Sequence, residues 1–167
     1  MPPALSVSLD FIRLRDVSRD ALARHMSNPR LTEHMPLLSG VWDRARCDAF
    51  VAAKEACWTR DGLGHWAFMA NGDYVGWGGF QKEGLDWDFG LVLRPQYFGL
   101  GIALTRKALA FARSDDRIPY VTFLLPPTRK HVRGLERLGA SVVDTITYDG
   151  EIFMKYRLET GPGGAAS

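Results

Sequence analysis

The sequence predicts a single-domain α/β (α+β) fold: a mixed, mostly antiparallel sheet of about seven strands, with helices on both faces and a central β-α-β crossover. Three observations point there. The 167 residues suit one domain with a sizeable core. Apolar residues switch between helical spacing and short alternating or continuous runs along the chain. One stretch reads strand, glycine-bearing turn, helix, apolar strand, which is the pattern of a parallel right-handed crossover.

Leu9–Arg15 alternates apolar and polar residues and is the first expected strand. Ser18 reads as a helix N-cap, with Val17 placed to staple onto Leu22, and the helix should stop at the Ser27-Asn28-Pro29 turn. A second helix follows an Asp43 cap, shows Ala49, Phe50, Ala53 and Cys57 on an apolar face, and ends at Gly62 and Gly64. His65–Ala70, Tyr74–Gln81 and Asp86–Leu93 are aromatic-rich runs, the first two joined by Asn71-Gly72-Asp73, a hairpin signal. Pro95–Gly101 forms the turn, Ile102–Arg113 a helix, and Tyr120–Leu125 a strand apolar enough for burial on both faces. A last helix covers about Thr128–Leu138 and ends at Gly139. Ser141–Tyr148 and Ile152–Leu158 then pair across Asp149-Gly150. The domain is expected over residues 1–158, and residues 159–167, ending GPGGAAS, form a flexible tail.

Composition narrows the function classes. Hydrophobic residues are 46% and charged residues 24%, the balance of a globular chain. Lys plus Arg at 21 against Asp plus Glu at 19 leaves +2, with no block of like charge, so neither nucleic acid nor a membrane surface is an expected partner. No secretory signal or spanning segment is apparent, and a reducing cytoplasm is the default compartment. Cys47 and Cys57 lie ten positions apart in one expected helix, roughly 15 Å at 1.5 Å per residue and beyond disulfide reach. They read as buried small hydrophobes. The four histidines form no ligand spacing with cysteines or carboxylates, so no metal is expected.

Leu93–Ala103 carries the most chemical information. Glycines just before a helix let backbone approach a ligand, and the first-turn amides with the helix dipole form an anion site for a phosphate or pyrophosphate. Gly-x-Gly turns also arise for steric reasons alone. The Gly-Lys-Ser/Thr of a Walker loop is missing, as is the third glycine of a dinucleotide fold.

Gln96-x-x-Gly99-x-Gly101, after a strand and opening a helix, resembles the acetyl-CoA signature of the GNAT superfamily of N-acetyltransferases. The text from Leu93 to Gly101, Ala108–Ala112, Ser27-Asn28-Pro29 and Leu135–Gly139 resemble its ribosomal-protein N-terminal acetyltransferase branch, and the element order agrees over roughly residues 9–158. The resemblance implies a GNAT-like fold and acetyl-CoA as co-substrate. Pantetheine would lie between the diverging strands 86–93 and 120–125, pairing near Leu91 and Leu93. Pyrophosphate would sit on the amides of Gln96, Phe98, Gly99, Leu100, Gly101, Ile102 and Ala103.

One departure from the branch pattern concerns the last helix. Its usual Asn-x-x-Ser aligns with Thr128 and His131, and a common tyrosine acid is replaced by Leu135. Thr128 can cap the helix or reach the cofactor. His131 is a candidate acid for the leaving thiolate or a packing histidine. Asp88 stands where the branch often has an acidic residue and is a candidate general base, or else a solvated strand-edge carboxylate. Asp86 faces the same side, and Glu83 is a weaker candidate. The loop between the first two helices nominates His34, Met35 and Trp42 for the acceptor wall, with Trp66, Trp77 and Trp87 as core or pocket aromatics. The reading is an acetyl-CoA-dependent N-acetyltransferase acting by direct transfer on a small-molecule amine or peptide N-terminus. Its alternative is a catalytically silent acyl-CoA-binding or sensing module. A homodimer is common in the resembled family.

Overall fold

The computed structural model describes residues 6–33, 35, 38–127 and 132–161. β1 (Leu9–Arg13) gives way to a 3-10 turn (Leu14–Asp16) that buries Leu14. α1 (Arg19–Met26) starts at Ser18, whose hydroxyl accepts from Ala21 N, and both Val17 and Leu22 are buried as the staple requires. The Asn28-Pro29 pair starts a further one-turn helix, α2 (Pro29–Thr32), rather than only ending α1. Asn28 caps it, and the proline at its first position has no amide to leave unpaired.

α3 (Arg44–Asp61) has the expected Asp43 cap and ends at Gly62 in the left-handed conformation, φ 75°. Its inward stripe differs from the expected one. Cys47 and Val51 are buried and Phe50 half-buried, whereas Ala49 and Ala53 are exposed and Cys57 is half-buried. Small alanines on a long helix give little periodic signal, and the bulky residues decide which side turns inward.

The remaining elements are β2 (His65–Ala70), β3 (Asp73–Glu83), β4 (Asp86–Leu93), a 3-10 segment (Pro95–Leu100), α4 (Gly101–Arg113), β5 (Tyr120–Leu125), α5 (Arg133–Arg137), β6 (Ser141–Tyr148) and β7 (Glu151–Glu159). Asn71-Gly72 and Asp149-Gly150 both hold two successive positive φ angles, the type I′ hairpin geometry that matches strand twist. The seven strands form one sheet in the order β1-β2-β3-β4-β5-β7-β6. β4 and β5 run parallel with Asp88 opposite Thr122, while the β1–β2, β5–β7 and β6–β7 pairs are antiparallel. The β6–β7 hairpin therefore enters the sheet through β7 and leaves β6 at the edge with nearly all its residues exposed.

Backbone proximity groups the chain into two compact units, each drawn from two stretches. The first takes in residues 1–78 and 91–104 and the second residues 79–90 and 105–167. The first is built on Leu14, Val17, Leu22, Met26, Leu31, Trp42, Cys47, Val51, Ala67, Tyr74, Trp77 and Val92. The second centres on Phe89, whose ring lies 5.5 Å from both Phe80 and Phe123. The expected tail boundary falls inside β7, which runs to Glu159. Thr160 is then buried, with its hydroxyl on Ile118 O and its amide on Pro119 O. Residues 162–167 lie outside the described residues.

Candidate active site

The Gln96-x-x-Gly99-x-Gly101 segment is a 3-10 turn that runs directly into α4, so its amides sit at the N-terminus of a 13-residue helix. Arg94 fixes its start. The Arg94 amide donates to Val75 O at 2.8 Å, its guanidinium donates to Tyr74 O at 3.0 Å, and its carbonyl accepts from Tyr97 N. Tyr74 is braced in turn by a 2.7 Å hydrogen bond between its hydroxyl and His25 Nδ1. Burial pushes His25 down to about 4, so this imidazole is neutral near pH 7.

Beyond that anchor the segment is open. Gln96, Phe98, Gly99, Ile102 and Ala103 are exposed. A Cβ on Gly99 would meet nothing within 4 Å, and one on Gly101 would touch only Leu91 and Leu93 methyls at 3.7 and 3.8 Å. Gly101 has an ordinary helical φ of −57°, and Gly99 is not among the positive-φ residues. Neither glycine is required by packing or by backbone conformation. A side chain at 99 would occupy open space outside the turn, and one at 101 would rest against Leu91 and Leu93. Leu91 and Leu93 lead into the same segment at the end of β4.

The carboxylates stand at the other end of β4. Asp88 Oδ1 accepts a 3.0 Å hydrogen bond from Thr122 Oγ1 on β5. Burial pushes the Asp88 carboxyl up to about 7, and the charges of Glu83 and Asp86 add to the rise. The Thr122 hydrogen bond and Lys155 oppose it. Asp86 is different in kind. It pairs with Lys155 Nζ through Oδ2 and accepts from the Tyr120 hydroxyl through Oδ1 at 2.7 Å. Burial acts to raise it, but those hydrogen bonds with the Lys155 and Arg157 charges prevail and hold it below the usual carboxylate range. Two carboxylates two residues apart therefore have opposite characters. Asp86 is a fixed anion, and Asp88 exchanges its proton near neutrality. Arg157 lies over the Tyr120 ring at 3.7 Å, with its Nε on Glu159.

Several expected residues fall elsewhere. Trp42 is no exposed wall residue: it is 6% exposed, its indole N–H donates to Leu38 O, and the Arg46 guanidinium covers its ring at 4.0 Å. An indole beside the start of α3 gains more by packing against the core than by standing exposed in a loop. His34, Thr128 and His131 lie outside the described residues. Trp66, Trp77 and Trp87 are buried, as core aromatics. Thr122, Tyr120 and Lys155 complete the carboxylate cluster, and the sequence reading passed over all three. Thr122 left one signal, a hydroxyl inside an otherwise apolar strand. Lys155 left none, because only the insertion of β7 beside β5 brings it to Asp86. No group of three or more potential metal ligands occurs among the described residues, and none of their helices is long and apolar enough to cross a membrane.

Residues 9–141 match the family model described as an acetyltransferase (GNAT) domain. Among solved structures, a protein described as a GnaT-family acetyltransferase from Bordetella pertussis superposes with a TM-score of 0.72 at 15% identity, covering 91% of this chain and 98% of that one. An acetyltransferase from Agrobacterium tumefaciens gives 0.67 at 21% identity, over 92% and 94%. AAC(6')-Ib in complex with ribostamycin and coenzyme A gives 0.68 at 16% identity, over 92% and 93%. The sequence has no significant match among curated proteins.

Proposed function

The chain belongs to the acetyltransferase (GNAT) domain family, and from that premise we propose that it moves an acetyl group from acetyl-CoA directly to a primary amine within a ternary complex. The observation that carries the reading is Asp88, a partly buried carboxyl poised at about 7 with one oxygen held by a threonine. An acceptor amine is an ammonium near neutral pH and must lose a proton before it can attack an acyl carbon. Asp88 takes that proton, directly or through one water. Asp86 stays ionised but is paired with Lys155, so the proton-accepting role falls to Asp88.

Acetyl-CoA would supply the activated thioester, and the residues present fit it. The exposed 96–103 segment, with two glycines that nothing in their own packing requires, would hold the pyrophosphate. The Leu91–Leu93 backbone would guide the arm. Cys47 gives no support to an acyl-enzyme route, since it is buried and burial pushes its thiol up. AAC(6')-Ib, which binds an aminoglycoside and coenzyme A, is one fold relative with an amine-bearing ligand. The motif likeness to the ribosomal-protein branch keeps a peptide N-terminus among the acceptors.

The deciding assay is thiol release from acetyl-CoA with a peptide bearing a free N-terminus, free lysine, spermidine and ribostamycin, followed from about pH 5 to about pH 9. Turnover with one of them, rising through about pH 7 and lost in Asp88→Asn, is the expected result. Tight acetyl-CoA binding without thiol release across the set would instead establish the silent acyl-CoA-binding module.

A further inference from the structure

We propose that Thr122 is a positioning residue of this site, holding Asp88 by one carboxylate oxygen so that the other is left to meet the acceptor amine. The inference rests on Asp88 being the general base. The parallel register sets Thr122 directly opposite Asp88, and Thr122 Oγ1 donates to Oδ1 at 3.0 Å. Among the described residues no hydrogen bond reaches Oδ2.

Thr122 is built to do this and little else. It is 1% exposed, so its hydroxyl has almost no access to solvent water as an alternative partner. Branching at Cβ restricts its χ1. The strand that carries it is clamped on its other side by β7, with Arg157 opposite Thr122, Leu158 opposite Val121 and Tyr156 opposite Phe123. A hydroxyl at this place in a strand reading Tyr120-Val-Thr-Phe-Leu-Leu125 adds nothing to packing that valine would not supply.

The chemical consequence concerns which oxygen carries the proton. An oxygen that already accepts from a fixed hydroxyl is the less basic of the two, so the acceptor's proton goes to Oδ2. The surrounding charges cannot make that choice. Glu83 on β3 and Asp86 on β4 both disfavour the anion, Lys155 on β7 favours it, Arg157 is engaged by Glu159, and the Tyr120 hydroxyl is engaged by Asp86. All of these act on the carboxylate as a whole, whereas Thr122 touches a single atom.

The test compares Thr122→Val, which keeps the volume and removes the donor, with Thr122→Ser, which keeps the donor. The Asp88 carboxyl is followed by carbon-13 NMR in the free protein, and the pH profile of kcat/KM is followed for thiol release with the amine set above. In Thr122→Val the titration midpoint of Asp88 should rise by about one pH unit, because a hydrogen bond to the charged form is lost. The acid limb of the rate profile should rise with it, and the high-pH plateau should fall about tenfold as the carboxylate loses its orientation. Thr122→Ser should restore both. An unchanged midpoint in folded Thr122→Val overturns the positioning role. A midpoint that moves while the acid limb stays overturns Asp88 as the base and the role of Thr122 in the reaction with it. An absence of turnover by the unaltered protein with every amine overturns both readings.

Discussion

Asp88→Asn should make the protein more stable and less active. Folding lifts the Asp88 carboxyl from its ordinary 3.8 to about 7, chiefly by burial. Between those two values the folded state holds a proton that the unfolded state has released, so the contribution of Asp88 to stability falls as pH rises through that window. Below about pH 4 the group is neutral in both states and contributes nothing. Above about pH 7 its full cost is present. A span of about 3 pH units, each worth about 1.4 kcal/mol, gives at most about 4 kcal/mol. Asparagine is neutral throughout and retains an amide oxygen to accept from Thr122. At 2–4 °C per kcal/mol for a chain of this size, the variant should melt up to about 8–16 °C higher at pH 8 and at the same temperature near pH 4. The assay is thermal unfolding of both proteins across that range. A gap that stays constant with pH would refute the raised proton affinity of Asp88, and with it the physical basis for the base. The same substitution should lower kcat/KM by about 10²-fold or more near neutral pH, with partial recovery toward the pKa of the amine.

Gly99→Asp and Gly101→Asp should abolish acetyl-CoA binding measured by calorimetry, since each puts a negative charge at an anion site. The melting temperature of Gly99→Asp should be nearly unchanged, because its side chain enters open space. Unaltered affinity in either folded variant would remove the pyrophosphate from this turn. Gly76→Ala should behave in the opposite way. Its Cβ would lie 2.5 Å from Val92 O and 2.8 Å from Leu93 Cα, backbone atoms that cannot swing aside, so destabilisation of about 1–3 kcal/mol or more is expected in a urea titration. A wild-type midpoint would contradict the close approach of β3 to β4. Tyr74→Phe should cost about 1–3 kcal/mol by leaving the buried His25 Nδ1 without its hydroxyl partner, and an unchanged urea midpoint would show that this hydrogen bond contributes little.

Much of the fold was legible because its signals are local. Ser18, Asp43, Asn71-Gly72 and Asp149-Gly150 each solve a backbone problem within a few residues, and each occupies its expected place. The 93–103 segment was legible for the same reason, since a glycine-bearing turn that opens a helix is a contiguous object. Asp88 is singled out by the resemblance, which often places an acidic residue at this position of the strand. The inward face of α3 differs from the expected one because alanine spacing underdetermines which surface a helix buries, and α2 is not foreseen because Asn28-Pro29 reads equally as a turn.

The sequence by itself therefore determined the strands, most of the helices, the two tight hairpins and the glycine-bearing turn that opens α4, all of which depend on interactions between near neighbours. Only the tertiary structure decided that β7 rather than β6 lies beside β5, and that pairing brings Lys155 to Asp86 across 69 positions of chain. It also decided that Asp88 and Thr122, 34 positions apart, face each other, and that Trp42 is core. The physical reason is that proton affinity depends on burial and on charges brought together by folding. Two aspartates that are equivalent in the sequence become a fixed anion and a carboxyl that titrates near neutrality only once β5 and β7 have closed around them.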